Sequence, residues 1–409
     1  MDLIITPAKL CGTFKAVPSE EEALRLLVCG ALSKPSSVIK GVGMTENVSR
    51  LINALKIMGA QLSVKEDCIR FADMVIKESI TIDCGSSYPA LAYALPIAAA
   101  HGVSAMFCGS RSLAGDKLAE LLSCLCSHGI TTDYCGKMPF RISGSLGSGI
   151  YELPPDTPHQ LISGLMLALA IFETDSMIVF SSPPKHKPYI DMTLNAMHQS
   201  RIQAAFSSDK YIIRGGQHFC LSEARVGGDF LIASNFAAAN AMTSNISVTG
   251  LDAASFQPET AVFEIIRSVM YSGRKGFDYD FSGCPSLAPI MAVFACSLKG
   301  ESILRNIGGQ AMDNISEMIN GAGGLAYADG GNLRIKGKKA LAGGTVDSCG
   351  NPEMVYAAMI LSTICRGELT VTNAECAREH CPEFFEAFHD LGGVIKYSDG
   401  KPDIEKLIC

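Results

Sequence analysis

Tryptophan is absent from this chain of 409 residues, and charged side chains make up only 18% of it. So little charge beside 48% hydrophobic residues suits large buried helices. Positive charge is also in deficit: 34 Lys and Arg against 41 Asp and Glu leave a formal net charge of −7. A sequence-independent nucleic-acid binder needs the opposite balance, so nucleic acid is set aside as a partner. No basic start or cleavage site marks Met1-Asp2-Leu3-Ile4-Ile5-Thr6 as a secretory signal, and a cytoplasmic location is expected. An unbroken membrane-length apolar run is missing too. The nearest candidate, Tyr88 to Phe107, is interrupted by Pro89, Pro96, His101 and Gly102 and reads as a buried helix followed by a strand.

Cysteine, by contrast, is frequent, at 16 residues. Most of these sit inside apolar runs, as Cys29, Cys296 and Cys365 do, and read as reduced small hydrophobes. Cys124, Cys126, His128 and Cys135 lack a paired Cys-x-x-Cys, and positions two apart on a helix do not share a face. No metal site and no cofactor are expected.

What is present is an internal repeat. Six times an apolar, helix-length stretch is followed by a strand, a turn and a second helix with a polar face. The strand steps are Ser37–Lys40, Ser104–Phe107, Met177–Phe180, Ile246–Thr249, Ile303–Asn306 and Leu369–Thr372. They recur at a spacing of roughly 55–75 residues, longer than a solenoid period but regular. The preceding stretches, such as Leu91 to Ala100 and Ala288 to Leu298, are apolar around most of their circumference, the mark of a buried helix. A unit that cannot cover its own apolar face must pack against its copies. Six copies in a chain of this length predict an α/β protein of two domains, three repeats each, with helices inside and sheets outside.

The periodic pattern breaks at Arg225-Val226-Gly227-Gly228-Asp229. The expected domains are therefore 15–226, and 1–14 together with 227–409. A spare strand around Leu3 to Thr6 is available to the second of these. Gly144 to Gly149 precedes a strand rather than a helix, so it reads as a flexible hairpin and not a phosphate loop.

Lys187-Pro188-Tyr189-Ile190-Asp191-Met192-Thr193-Leu194, Leu304-Arg305-Asn306-Ile307, Gly228-Asp229 and Pro382-Glu383-Phe384-Phe385 carry a resemblance. Together with the six repeats, they are similar to stretches of the enolpyruvyl transferase family, and within it to the 5-enolpyruvylshikimate-3-phosphate (EPSP) synthases. The resemblance implies an inside-out α/β barrel in each domain, built of three βαβαββ units. It also implies a small molecule in the interdomain cleft, a monomer, and no membrane partner. The family reaction transfers the enolpyruvyl group of phosphoenolpyruvate to shikimate 3-phosphate. Both substrates are anionic, so the site needs many Lys and Arg and an acid–base pair.

Position by position, this chain departs from that demand. The Pro-Gly-Ser-Lys-Ser motif falls on Val17-Pro18-Ser19-Glu20-Glu21, which puts Glu20 where a lysine would meet phosphoenolpyruvate. A phosphate-binding Arg falls on Asp116, and the Ser-Ser-Gln motif on Pro158-His159-Gln160. The catalytic Asp falls on Ser286, the Lys-Glu-Thr-Asp-Arg stretch on Asp313-Asn314-Ile315-Ser316-Glu317, and Asp-His-Arg-Met on Asn351-Pro352-Glu353-Met354. The last family Lys falls on Glu379, beside Arg378. The matched catalytic positions are thus Glu20, Ser286, Asn314 and Glu353, and the catalytic residues themselves stay unassigned. The resemblance leaves Ser19, Arg25, Gln160, Lys187, Tyr189 and Arg378 as substrate-binding candidates.

Two charges about 4 Å apart interact by roughly 4 kcal/mol at an effective dielectric near 20. Six reversals (Glu20, Asp116, Asp313, Glu317, Glu353, Glu379) outweigh the roughly 8 kcal/mol that holds a micromolar ligand. The family reaction is therefore expected to be lost, leaving a pseudoenzyme or a site for a different small molecule. The alternative is an active 3-phosphoshikimate 1-carboxyvinyltransferase of aromatic amino acid biosynthesis with rearranged active-site residues.

Overall fold

A computed structural model of the chain describes residues 1–398. The chain forms two units, one of Met1–Val17 with the residues from Gly228 onward, the other of Pro18–Gly227. Each unit has its own apolar core. All six strand steps of the repeat lie in or at the end of a strand, and each apolar stretch before them is a helix.

The repeat is plainest in its second copy. Strand Ser79–Asp83 leads into helix Tyr88–Ala100, and the chain returns as strand Ser104–Cys108, parallel to the first with Ser79 opposite Ser104. Helix Asp116–Cys126 and the antiparallel strands Ile130–Thr132 and Phe140–Gly144 complete a four-stranded sheet. The other two copies in Pro18–Gly227 also make four-stranded sheets.

The three buried helices of this unit are Glu20–Leu32, Tyr88–Ala100 and His159–Leu169. Their small residues set how closely they pack. Pro96 has no N–H, so the carbonyl of Ala92, one turn earlier, receives no bond from it. Gly164 of the third helix lies against that same carbonyl. A Cβ at position 164 would stand 2.2 Å from the Ala92 oxygen.

In the unit that begins at Met1 the buried helices are Phe230–Met242, Ala288–Cys296 and Pro352–Leu361. Strand Leu3–Thr6 is antiparallel to both Leu369–Thr372 and Val394–Tyr397. Two strands sit outside their own sequence repeat. Cys11–Lys15 pairs in parallel with Asn245–Thr249, and Glu223–Arg225 pairs in parallel with Ser37–Lys40. Phe14 fixes the first of these by meeting Phe236 at 4.2 Å between ring centroids, and Phe236 meets Phe384 at 4.9 Å. Aromatic pairs of this kind add about 0.5–1.5 kcal/mol beyond area burial. The sheet holding Cys11–Lys15 has only two strands among the described residues, so the fourth copy lacks the antiparallel pair of the others.

Gly144 to Gly149 is not a hairpin. The strand before it, Phe140–Gly144, belongs to one sheet, and the strand after it, Ile150–Glu152, pairs in parallel with Ser176–Val179 in the next. The glycines carry the chain from one repeat to the following one.

The fifteen described cysteines are all free. Cys29, Cys84, Cys284, Cys296, Cys365 and Cys381 are buried, while Cys11, Cys126, Cys135 and Cys349 are exposed. Burial pushes the Cys29 thiol up to about 12, which leaves it a packing residue rather than a nucleophile. His128 directs its ring nitrogens at the carbonyls of Cys124 (2.9 Å) and Ile150 (3.0 Å). Among the described residues no group of three or more His, Cys, Asp or Glu could hold a metal ion, and no helix is long and apolar enough to cross a membrane.

Candidate functional site

Ser19, buried, caps helix Glu20–Leu32 by accepting the Glu22 N–H. Three glutamates follow in the first turn, where negative charge complements the helix dipole. Each has its own partners. The Glu20 carboxylate accepts from the Thr45 hydroxyl and, at 2.7 Å, from Asn47 Nδ2. Thr45 is itself the N-cap of helix Glu46–Met58, so Glu20 ties the starts of two helices together. Glu22 accepts the Gly227 N–H at 2.9 Å.

Glu21 belongs to a buried polar cluster centred on Arg25, whose side chain is 1% exposed. Arg25 Nε donates to Thr193 Oγ1 at 2.9 Å, Nη1 to the carbonyl and carboxylate of Glu21, and Nη2 to the Tyr189 carbonyl at 2.8 Å. Nη2 also lies 3.5 Å from His159 Nδ1. A guanidinium has five donors, and here all five face protein atoms. Gln160 adds a hydrogen bond to Glu21, and His159 stacks on Tyr189 at 4.7 Å between centroids.

Burial and the neighbouring Arg25 charge push the His159 imidazole down to about 4, against the pull of Glu21, so it is neutral near pH 7. Burial opposes the Glu21 charge, but His159, Arg25 and the hydrogen bonds from Arg25 and Gln160 outweigh it, and the carboxyl stays below its usual range. With His159 neutral, Arg25 is the partner that acts there near pH 7.

The structure therefore brings Arg25, Gln160 and Tyr189 together around Glu21, while Ser19 caps the helix that carries Glu21 and Arg25. Lys187 starts the helix that carries Tyr189, but its Nζ pairs with Asp191 at 2.6 Å and lies 4.5 Å from the Phe206 ring centroid. Asp116 is exposed in the first turn of its helix.

In the other unit, Ser286, Asn314 and Glu353 line one cavity of about 240 Å³, with Asn351 beside them and Pro289, Ile307, Ile315 and Met354 among its apolar walls. Ser286 lies in a short turn before helix Ala288–Cys296, Asn314 in mid-helix of Gly309–Gly321, and Glu353 in the first turn of Pro352–Leu361. Ser286 Oγ donates to Glu259 Oε1 at 3.0 Å, and Glu259 is 4% exposed. Asn351 Oδ1 accepts the Met354 N–H at 3.2 Å, and Asn314 Oδ1 accepts from Gln310. No Lys, Arg or His lines the cavity among the described residues. Arg378 is not part of it. Its guanidinium lies 5.2 Å from the Tyr397 ring centroid and 3.9 Å from the Met1 sulfur. Asp313, Glu317 and Glu379 are exposed.

The family profile of EPSP synthase (3-phosphoshikimate 1-carboxyvinyltransferase) matches residues 4–388. This chain belongs to the EPSP synthase family. A 3-phosphoshikimate 1-carboxyvinyltransferase of Clostridium perfringens is 29% identical, covering 96% of this chain and 99% of the relative. One from Methanocorpusculum labreanum is 26% identical, covering 97% and 100%. The EPSP synthase structure of Acinetobacter baumannii superposes with a TM-score of 0.84 over 97% of this chain and 100% of that one, at 16% identity, a likeness of fold.

Glu21, His159, Thr193, Glu259 and Asn351 have parts in these clusters that motif matching did not assign. The Glu21–Arg25 pair had a signal, the i,i+4 spacing of opposite charges. Thr193 had none: it meets Arg25 across 168 residues of sequence.

Proposed function

We propose that this EPSP synthase family protein does not carry out the family's carboxyvinyl transfer, and that its role is to bind a small molecule other than phosphoenolpyruvate. The observation that carries this reading is Glu20. At the position matched to the phosphoenolpyruvate lysine stands a carboxylate with hydrogen bonds from both Thr45 and Asn47. Those partners satisfy a negative charge and offer an ammonium little in return. Arg25 supports the same reading, since its five donors face protein atoms and a substrate carboxylate would have to displace one of them. In this account Arg25 organises the ends of three helices. Ser19 has a similar role, as an N-cap, and Lys187 is paired with Asp191.

Losing a buried cation's partner costs about 3–5 kcal/mol. A substrate that took Arg25 from Glu21 would forfeit much of its binding free energy. Thermal shift and calorimetry with phosphoenolpyruvate and shikimate 3-phosphate test this reading. Neither ligand is expected to bind at millimolar concentration, and saturable binding of either would count against it.

A second reading, active 3-phosphoshikimate 1-carboxyvinyltransferase, is supported by the coverage of nearly the whole length of curated relatives. It requires cations outside the matched positions to take over the phosphate contacts.

A further inference from the structure

We propose that strand Asn245–Thr249 is an open sheet edge on which a partner protein lays an extended, acidic segment as an antiparallel strand. The proposal stands apart from the fate of the family reaction. In every other copy of the repeat the matching strand is paired on both edges. Ser37–Lys40, Ser104–Cys108, Ser176–Val179 and Glu301–Arg305 each take an antiparallel strand from the hairpin that follows them, and Leu369–Thr372 takes Leu3–Thr6. Among the described residues Asn245–Thr249 pairs with Cys11–Lys15 alone. The hairpin is missing from the chain itself. Residues 272–277 join the second helix of the fourth copy to the next repeat, where the first, second, third and fifth copies use 59–78, 127–149, 200–222 and 322–343.

The edge left behind is ready to pair. Asn245 donates to the Leu10 carbonyl and Thr249 accepts from the Ala16 N–H, so alternate residues of the strand turn towards Cys11–Lys15, and Ile246 and Val248 turn their backbone groups the other way. The Ile246 N–H goes to Asn240 Oδ1 at 2.9 Å. The Ile246 carbonyl and both backbone groups of Val248 have no partner among the described residues. Such a row is a template for an added strand. Apolar surface is uncovered with it. The inward residues Ile39, Phe107, Ile178, Leu304 and Val371 of the other copies are fully buried, but Val248 is half-buried. The second helices of the first, second, third and fifth copies pack against a hairpin strand. Here no hairpin follows helix Ala261–Tyr271, and its last turn leaves Met270 and Tyr271 exposed.

Charge says what the added strand carries. The link that replaces the hairpin holds Arg274 and Lys275, and Lys275 bridges to Lys299. Arg274 Nη1 donates to the Ala241 carbonyl at 2.9 Å, which sets it near the start of the open strand. None of these three cations has an ion pair among the described residues. The acids on the adjoining strands, Asp278 and Glu301, are paired with Arg305 and Arg334. Glu264, the acid of helix Ala261–Tyr271, is in its first turn, at the other end. A second copy of this chain would bring the same cations to the edge, so an acidic segment is the better match.

Fluorescence anisotropy of the full chain at low salt tests the proposal with a labelled peptide of alternating glutamate and valine, beside one of alternating lysine and valine. Saturable binding of the glutamate peptide is expected, at least about tenfold tighter than that of the lysine peptide. Val248→Pro, which removes an N–H that bonds nothing in this chain, should weaken it at least about tenfold. Lys275→Glu combined with Lys299→Glu should reverse the preference between the peptides. No saturable binding, or binding untouched by Val248→Pro, overturns the proposal. Hydrogen exchange of the chain without peptide tests the other occupants. The Val248 amide is expected to exchange fast and to slow when the glutamate peptide is added. An amide already slow would mean that a second copy or residues 399–409 cover the edge, and overturns the proposal as well.

Discussion

Arg25 donates to Glu21 at 2.6 Å across one turn of the same helix, and to Thr193 at 2.9 Å on another helix of the same unit. A fully buried guanidinium thus holds three helices of its unit in register, because Tyr189 and Thr193 share one helix and His159 starts another. Replacing it with Leu should destabilise the protein by about 3–5 kcal/mol, since Glu21 loses its counter-charge. Urea denaturation measures this. The Arg25→Leu, Glu21→Gln double variant should lose less than the sum of the two single changes, as residues in one network are coupled.

The His159 imidazole sets a dependence on pH. Burial lowers its pKa in the folded state to about 4, from the ordinary histidine value of 6.5. As pH falls through 6.5 the unfolded chain takes up a proton that the folded chain refuses. Its contribution to stability is thus full above pH 6.5 and is lost between there and about pH 4. Glu21, held below its usual range, acts in the same direction at lower pH. Urea midpoints should fall between pH 7.5 and pH 5, and His159→Gln should flatten that slope.

Gly164→Ala should cost about 1–3 kcal/mol, the range for overpacking a tight core. The added methyl would meet the Ala92 oxygen at 2.2 Å, and backbone cannot swing aside as a side chain can. Thermal unfolding of the variant checks this. An unchanged midpoint would mean the two helices are farther apart.

Glu20→Lys would restore the charge that the family motif has at this position. It should nonetheless lower stability by about 1–2 kcal/mol, because Thr45 and Asn47 lose their acceptor and the first helical turn loses a favourable charge. Calorimetry should show no gain of phosphoenolpyruvate binding. A gain without loss of stability would mark Glu20 as a single reversible change in an otherwise competent site.

The repeat was legible because its helices and strands carry their own periodicity: an all-apolar stretch such as Leu91 to Ala100 has only one place to go, inside. Pairings that cross the chain were not legible. Nothing local to Ile150–Glu152 says that it pairs with Ser176–Val179 instead of folding back on Phe140–Gly144, so Gly144 to Gly149 resembled a hairpin. The candidate sites divide in the same way. The departures at Glu20, Ser286 and Glu353 could be read from motif matching, and the structure gathers Ser286, Asn314 and Glu353 in one cavity. The partners of Glu20, Arg25 and Ser286, namely Thr45, Asn47, Thr193 and Glu259, lie 25 or more residues away in sequence and become visible only in the folded chain.

Phosphate release from shikimate 3-phosphate and phosphoenolpyruvate, with a proven EPSP synthase alongside, tests the central claim most directly. The account predicts no release above background from the purified chain. Turnover near the control's rate would contradict it and would mean that other cations assemble the phosphate contacts, with Arg378 and Lys187 the first to substitute.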